Sequence, residues 1–256
     1  SQLGDKRVSD VAIAQWKVQH GYDLPLFYNQ NQSGMGAVTQ TLLVRTSLQL
    51  ARFDFGQSTA GRSIRAEIYE RMWPSVALAL PTLLLGLLVN TMVAGWLSYF
   101  RLTTFAVWMD VCCIVSMSIS VLFYIMIGQY VFAKVLRWMP ISGYDEGGIW
   151  RFLVLPVVLG VLSGVGSGAR WYRTLLTEQS TQPYVKTARA KGLNDLTVLL
   201  KHVLKNAMLP ILTGLVVVIP LLFLGSLIME SFFSIPGLGS YTIDAIAQQD
   251  FTVVRA

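Results

Sequence analysis

The chain has 256 residues, 54% of them hydrophobic and only 13% charged, with a formal net charge of +6. That charged fraction is about half the roughly 25% usual in soluble domains, which argues against an ordinary globular domain. The positive balance suits either nucleic acid or an anionic bilayer, so the placement of the charges decides between them.

In chain order, residues 1–70 mix apolar and charged residues without a spanning run, and NQNQSGMG (29–36) reads as a loop. Four charge-free stretches follow: between Arg71 and Arg101, Asp110 and Lys134, Arg151 and Arg170, and Lys205 and Glu230. A membrane-spanning helix needs about 20 mostly apolar residues to cross a core of roughly 30 Å. The first, second and fourth gaps reach that length, and the third (FLVLPVVLGVLSGVGSGA) gains Trp150, Trp171 and Tyr172 as interfacial anchors. Spans are therefore expected at about 73–99, 108–133, 151–171 and 207–230, in an all-α integral membrane protein. A soluble protein with buried helices is the alternative, but four such runs in a chain this size are hard to bury.

Within the second stretch, Cys112 and Cys113 read as small buried apolar residues, because sequence neighbours rarely bridge each other. In the third, Gly160, Gly164 and Gly168 recur every fourth residue. Glycine at that spacing lets helices approach closely in lipid, either inside this subunit or against a second one.

Lysine and arginine in the short loops set the orientation. Segment 170–205 carries Arg170, Arg173, Lys186, Arg189, Lys191, Lys201 and Lys205 against Glu178 and Asp195. The loop around PISGYDEGG (140–148) holds Asp145 and Glu146. The basic segment is thus expected in the cytoplasm, with 137–151, 1–70 and 234–253 on the other side.

The basic segment, YVKTARAKGLNDLTVLLKHVLKNAMLP (184–210), divides into two helices. Ser180 or Thr181 is the expected cap of the first, with Pro183 in its first turn. Gly192 suits a left-handed helix end, and Asn194 or Asp195 a new cap. Leu196, Leu199, Leu200, Val203, Leu204 and Ala207 share one predicted face of the second helix, with Thr197, Lys201 and Lys205 opposite. Three uses compete: a solvated basic loop on anionic lipid, a DNA-binding helix-turn-helix, and a peg that docks into a cytoplasmic partner. An apolar face leading straight into a span presses the second helix to the bilayer instead of leaving it free for a DNA groove. The small residues Ala188, Ala190 and Gly192 favour the peg, and nucleic acid is not expected as a partner.

TARAKGL together with HVLKNAMLP resembles the cytoplasmic coupling loop of permease subunits from dipeptide- and oligopeptide-type ABC importers. RFDFGQS (52–58), YERMWPSVALAL (69–80), MPISGY (139–144), FLVLP (152–156) and MESFFSIPGLGSYTIDAI (229–246) follow in the order of that family. The resemblance implies a type I ABC importer transmembrane domain. Segment 1–70 would be extracytoplasmic, 71–256 would form the permease domain, and the coupling loop would occupy 172–206. One more span would precede Ser1 and one would follow Ala256. It also implies a multi-pass protein of a bacterial inner membrane that pairs with a second permease subunit, two cytoplasmic ATPase subunits and an extracytoplasmic substrate-binding protein. Thr187, Ala188, Arg189, Ala190, Lys191, Gly192, Leu193 and Asn194 would contact the ATPase, and Ser120 and Glu230 are candidate gate residues. Where the family usually has Ser-Ile-Pro-Ser, this chain reads Ser118-Ile119-Ser120-Val121, so a span without the proline kink is expected.

The chain lacks G-x-x-x-x-G-K-[ST], the loop that cradles nucleotide phosphates, so ATP and Mg are expected on partner ATPases and no cofactor or metal on this chain. GVGSG (164–168) has Val165 where an intramembrane serine protease would need glycine, and His20 and His202 lie far apart, so catalysis is not expected. An ion-coupled secondary transporter is the alternative. Such proteins carry ionisable residues inside the bilayer, whereas Asp110, Lys134 and Glu230 fall near the expected span ends.

Overall fold

The computed structural model describes residues 41, 55–58, 61–143, 149–224 and 226–255. Most of segment 1–70 lies outside them, with the loop at 29–36 and His20. The chain divides into two compact units, Ser1–Glu70 with Asp244–Ala256, and Arg71–Ile243.

In the first unit, Gly56 and Gly61 take positive φ, and an isolated antiparallel bridge joins Gln57 to Ser63. The hydroxyl of Ser58 donates to the buried carboxylate of Asp250 (2.7 Å), which also accepts from the backbone N–H of Thr252 and Val253. Residues 58 and 250 therefore sit together, 192 positions apart in sequence.

The second unit is a helical assembly with no strand among its described residues. Helix α1 (Ile64–Tyr99) carries its charges only at the start and stays helical through Pro74 and Pro81. Its 36 residues rise about 54 Å, well beyond a 30 Å core. Leu80, Leu84, Leu88, Met92 and Trp96 are exposed along it, an apolar surface far too large for a soluble monomer. A tight turn leads to α2 (Thr104–Ser118), capped by Thr103. Next come α3 (Val121–Gly128) and the π-helical turn π1 (Gln129–Val135). Helix α4 (Ile149–Ser180) crosses back through Pro156. Beyond it lie the short α5 (Pro183–Ala190), α6 (Asp195–Thr197), the π-helical turn π2 (Val198–Leu204) and α7 (Lys205–Leu224). Helices α8 (Leu227–Phe233), α9 (Leu238–Ala247) and α10 (Phe251–Arg255) complete the described chain.

Three helical runs, Ile64–Tyr99, Arg151–Ser180 and Asp195–Pro220, are each long and apolar enough to cross a membrane, and α2 with α3 and π1 makes a fourth if its bent pair is one span. All four expected spans thus have a counterpart, with three differences. The second is broken by 92° after Ser118. The third helix runs on to Ser180 and the last begins at Asp195, so of the segment expected as coupling loop at 172–206 only 181–194 lies between the two long helical runs. Charge marks where lipid ends, whereas the backbone keeps its helix through Arg170, Arg173 and Glu178, which are good helix formers. Finally, α7 ends at Leu224 and α8 starts at Leu227, so the stretch expected at 207–230 is divided between two helices.

Packing concentrates at two levels. One cluster joins Leu78, Ile125, Leu153, Leu155, Leu159, Met229, Phe233 and Ile235. The other joins Ala94, Tyr172, Leu176, Val185, Ala188, Val198, Val203, Ala207 and Ile211, at the end that carries the basic loop. Gln129 ties the 139–143 loop to the first cluster by donating to the carbonyls of Ile141 (3.2 Å) and Phe232 (3.1 Å).

Candidate functional site: the coupling loop and the helices that carry it

Helix α5 has Pro183 at its first position, where a missing N–H costs nothing. Its N-cap is Gln182, not Ser180 or Thr181. Those two hydroxyls are already engaged, donating to the carbonyls of Leu176 (2.7 Å) and Glu178 (2.8 Å) to close α4. At the other end the N–H of Lys191 bonds to Thr187 O (3.1 Å) and that of Gly192 to Arg189 O (2.9 Å). Gly192 then takes the expected left-handed conformation, with φ +81° and open space around its missing Cβ. Asn194 is the cap of the next helix, accepting from Thr197 N–H at 2.8 Å. Across the turn, the Arg189 guanidinium pairs with Asp195 at 3.2 Å, an exposed contact that contributes little to stability.

Val185 and Ala188, three residues apart, form the inner face of α5 and are buried in the second cluster. Ala188 thus seats α5 on the core of its own chain. Thr187, Arg189, Ala190, Lys191, Gly192, Leu193 and Asn194 are all exposed. The presented surface is therefore basic, with glycine at its tip.

The single apolar face expected beyond Asn194 is split. Val198, Val203 and Ala207 are buried, while Leu196 and Leu200 are 47% and 54% exposed. The π-helical turn at 198–204 is the physical reason, since its wider repeat rotates successive side chains away from a 3.6-residue face. Leu196 and Leu200 instead line an apolar groove of about 410 Å³ with Met92, Gly95, Trp96 and Leu204.

The expected glycine seam is also only partly a seam. A Cβ at Gly160 would stand 2.9 Å from Thr82 Cγ2, and one at Gly168 would overlap the Asn90 side chain, so both serve the contact with α1. Gly164 meets nothing within 4 Å. The closest backbone approach belongs to Gly166, outside the four-residue series, whose Cβ would overlap Cys113 O and lie 2.9 Å from Met117 N on α2. Cys113 is buried there and Cys112 is exposed; both are free thiols.

Ser120, a candidate gate residue, is the N-cap of α3, accepting weakly from Leu122 N–H at 3.4 Å. Glu230, the other candidate, is fully buried. Its carboxylate accepts from the N–H groups of Ser226 (3.1 Å), Gly239 (2.7 Å) and Ser240 (3.2 Å), and Ser75 on α1 accepts from Leu238 N–H (2.8 Å). The bonds from Leu238, Gly239 and Ser240 satisfy first-turn donors of α9, with a carboxylate at the end of the helix that favours one. Arg71 lies over the ring of Tyr241, 4.6 Å from its centroid, and adds a second tie between α1 and α9.

Asp110 lies two turns inside α2 and pairs with Arg173 of α4. Nothing in the sequence points to this pair: 63 residues separate its partners, and span-end charges carry no signal of which opposite charge they meet. Among the described residues no cluster of His, Cys, Asp or Glu could hold a metal ion.

A bundle of apolar helices with a short, capped, basic helix-turn-helix packed on one end defines a multi-pass membrane protein. Residues 91–255 match the family described as "Binding-protein-dependent transport system inner membrane component", and the chain belongs to that family. It is 29% identical over 228 residues to a protein of Brucella suis biovar 1 named as a peptide transport system permease, covering 87% of this chain and 73% of the relative. It is 28% identical over 212 residues to the glutathione transport system permease protein of Salmonella typhimurium, covering 79% and 66%. The chain is accordingly a permease subunit of an ABC transporter, acting with ATPase and binding-protein partners and not itself an enzyme. The secondary-transporter alternative is not favoured.

Proposed function

We propose that this chain is one of two permease subunits of a bacterial inner-membrane importer that moves peptides or peptide-like solutes into the cytoplasm. Two ATPase subunits carry ATP and Mg, a substrate-binding protein delivers solute on the outer side, and this chain binds no cofactor. The observation that carries the reading is the loop at 183–194, seated on its own core by Val185 and Ala188 and presenting Arg189, Lys191, Gly192 and Leu193 outward. That loop faces the cytoplasm, in keeping with its excess of lysine and arginine. When ATP draws the two ATPases together, force on α5 passes through Val185 and Ala188 to Tyr172 and Leu176 of α4 and to Val203 and Ala207, all members of one packed cluster. A close-packed cluster transmits displacement instead of absorbing it. The peptide class is supported by the names of the relatives.

Gly192→Val tests the coupling role. A β-branched residue at φ +81° costs roughly 1–2 kcal/mol and adds bulk at the presented tip. The variant is expected to insert and assemble with the second permease, yet to co-purify poorly with the ATPase or to hydrolyse ATP without uptake. Lys201→Gln and Lys205→Gln, on the lipid-facing side, are expected to be milder. Harmless Gly192→Val beside lysine variants that abolish coupling would make the segment an electrostatic anchor to lipid instead.

A further inference from the structure

We infer that the broken second span and a polar stripe on α4 line the solute pathway, and that the Arg170 guanidinium binds a carboxylate of the passing solute there. The inference rests on the proposed peptide-import reading for its ligand class, but not for its geometry.

The break carries the first part. α2 runs 15 residues from Thr104 to Ser118, which at 1.5 Å each sets its end about 22 Å from its start. That places the 92° bend inside the hydrocarbon layer. Met117 and Ile119 are 48% and 42% exposed there, and Ser118 and Ser120 are exposed beside them. A helix break leaves several N–H and C=O groups outside helical pairing. Ser120 answers one N–H, and the Tyr124 hydroxyl donates to one carbonyl, that of Ser116, at 3.0 Å. Irregular backbone at membrane depth is tolerated only inside protein or along a water-filled cavity. An exposed break of this kind faces either a partner subunit or water, and the polar surface beside it favours water.

The neighbouring surface is polar in a matching way. Ser163, Ser167, Arg170 and Thr174 fall within about 60° of arc on α4 at 3.6 residues per turn; the last three are exposed. This stripe adjoins the break, because Ser116 Oγ donates to Leu162 O at 3.5 Å and Gly166 abuts Met117.

Arg170 supplies the charge. Arg173, one turn on, has Asp110 as its partner, but no carboxylate among the described residues pairs with Arg170. Its Nη1 lies 3.6 Å from Met117 Sδ. The side chain thus reaches back along α4, toward the break. A lipid-facing arginine snorkels the other way, to the nearer headgroups. A cation held toward the membrane interior without a protein anion is matched to an anion that arrives. The planar guanidinium fork fits a carboxylate in bidentate fashion, and a short peptide carries one at its C-terminus whatever its side chains.

The test uses the assembled importer in membranes, with Cys112 and Cys113 first replaced by alanine. Ser118→Cys and Ser167→Cys are then exposed to an anionic sulfonate and a cationic trimethylammonium methanethiosulfonate reagent. Both positions are expected to react. The anionic-to-cationic rate ratio is expected to fall about 10-fold when Arg170→Gln is added, the size of effect a nearby full charge has at intermediate dielectric. No reaction at either position would overturn the pathway, and an unchanged ratio would overturn the role of Arg170. In parallel, uptake of a dipeptide is compared with uptake of its C-terminally amidated form. The unmodified importer is expected to favour the free acid, Arg170→Gln to lose that preference, and Arg170→Lys to keep part of it. A preference that survives Arg170→Gln would again overturn the assignment. If neither peptide is taken up while the thiol ratio still shifts, the peptide reading fails and the anion site stands.

Discussion

Glu230 offers the most direct measure of what closes the α8–α9 hairpin on itself. Its fully buried carboxylate accepts three backbone N–H bonds, from Ser226, Gly239 and Ser240. Glu230→Ala leaves those donors without an acceptor. Each orphaned buried donor costs about 1–3 kcal/mol, and sharing among neighbours makes the sum less than additive, so a loss of about 3–5 kcal/mol is expected. Glu230→Gln keeps one accepting oxygen but turns an NH₂ group toward an N–H donor, and is expected to lose roughly half as much. The assay is hydrogen exchange of the 226–240 amides in the assembled complex, beside its thermal unfolding in detergent. If opening is local, 3 kcal/mol corresponds to exchange about 10²-fold faster at Gly239 and Ser240, with a smaller rise for the glutamine variant. Unchanged exchange at both amides in Glu230→Ala, with an unchanged melting temperature, would refute the clamp and free Glu230 for another role.

Two further substitutions separate neighbouring explanations. Gly166→Leu is expected to prevent α4 from seating on α2, lowering the yield of folded subunit, since its Cβ alone would overlap Cys113 O and overpacking costs about 1–3 kcal/mol or more. Gly164→Leu meets open space within this chain, so the subunit is expected to fold; loss of the second permease on co-purification would then mark residue 164 as an intersubunit contact, and full assembly would rule that out. Ser120→Pro is expected to be nearly neutral in uptake and thermal stability, because Ser120 already has φ −61° and its neighbour Ile119 is extended at ψ 127°, the geometry that proline and its preceding residue prefer. A large loss in that variant would show that the Ser120 hydroxyl matters beyond its weak capping bond.

Much of the architecture was legible because lipid imposes long charge-free runs, and those runs survive any detail of packing. The turn at 190–194 was legible for a similar reason: Gly192 and Asn194 are among the few residues suited to a left-handed helix end and to a cap, and each stands where the backbone needs it. The inward face of α5 was harder to place. Alanine at 188 and 190 looks alike in a sequence, and only the position of Val185 one turn earlier, buried against Tyr172 and Leu176, settles which alanine turns in. The π-helical turn at 198–204 has no comparable marker, so helical spacing assigns Leu196 and Leu200 to the buried face although both are exposed.

The second span shows why a missing residue is weaker evidence than a present one. With Ser120 in place of proline, a kink is not expected, yet the helix turns through 92° at this point. Proline breaks a helix by withholding an N–H and crowding the preceding turn, but a break needs only that the helix be less favourable there than its alternative. Here the alternative is built from several parts. Ser118 donates to Ile114 O at 2.8 Å, the Tyr124 hydroxyl donates to the Ser116 carbonyl, and Ser120 restarts the helix as its N-cap. Serine hydroxyls compete for backbone groups in this way, and SMSIS supplies three of them in five residues. The bend therefore belongs to the segment as a whole, held by hydroxyls from both sides of it, and its exposed backbone sits where a pathway through the membrane needs polar groups.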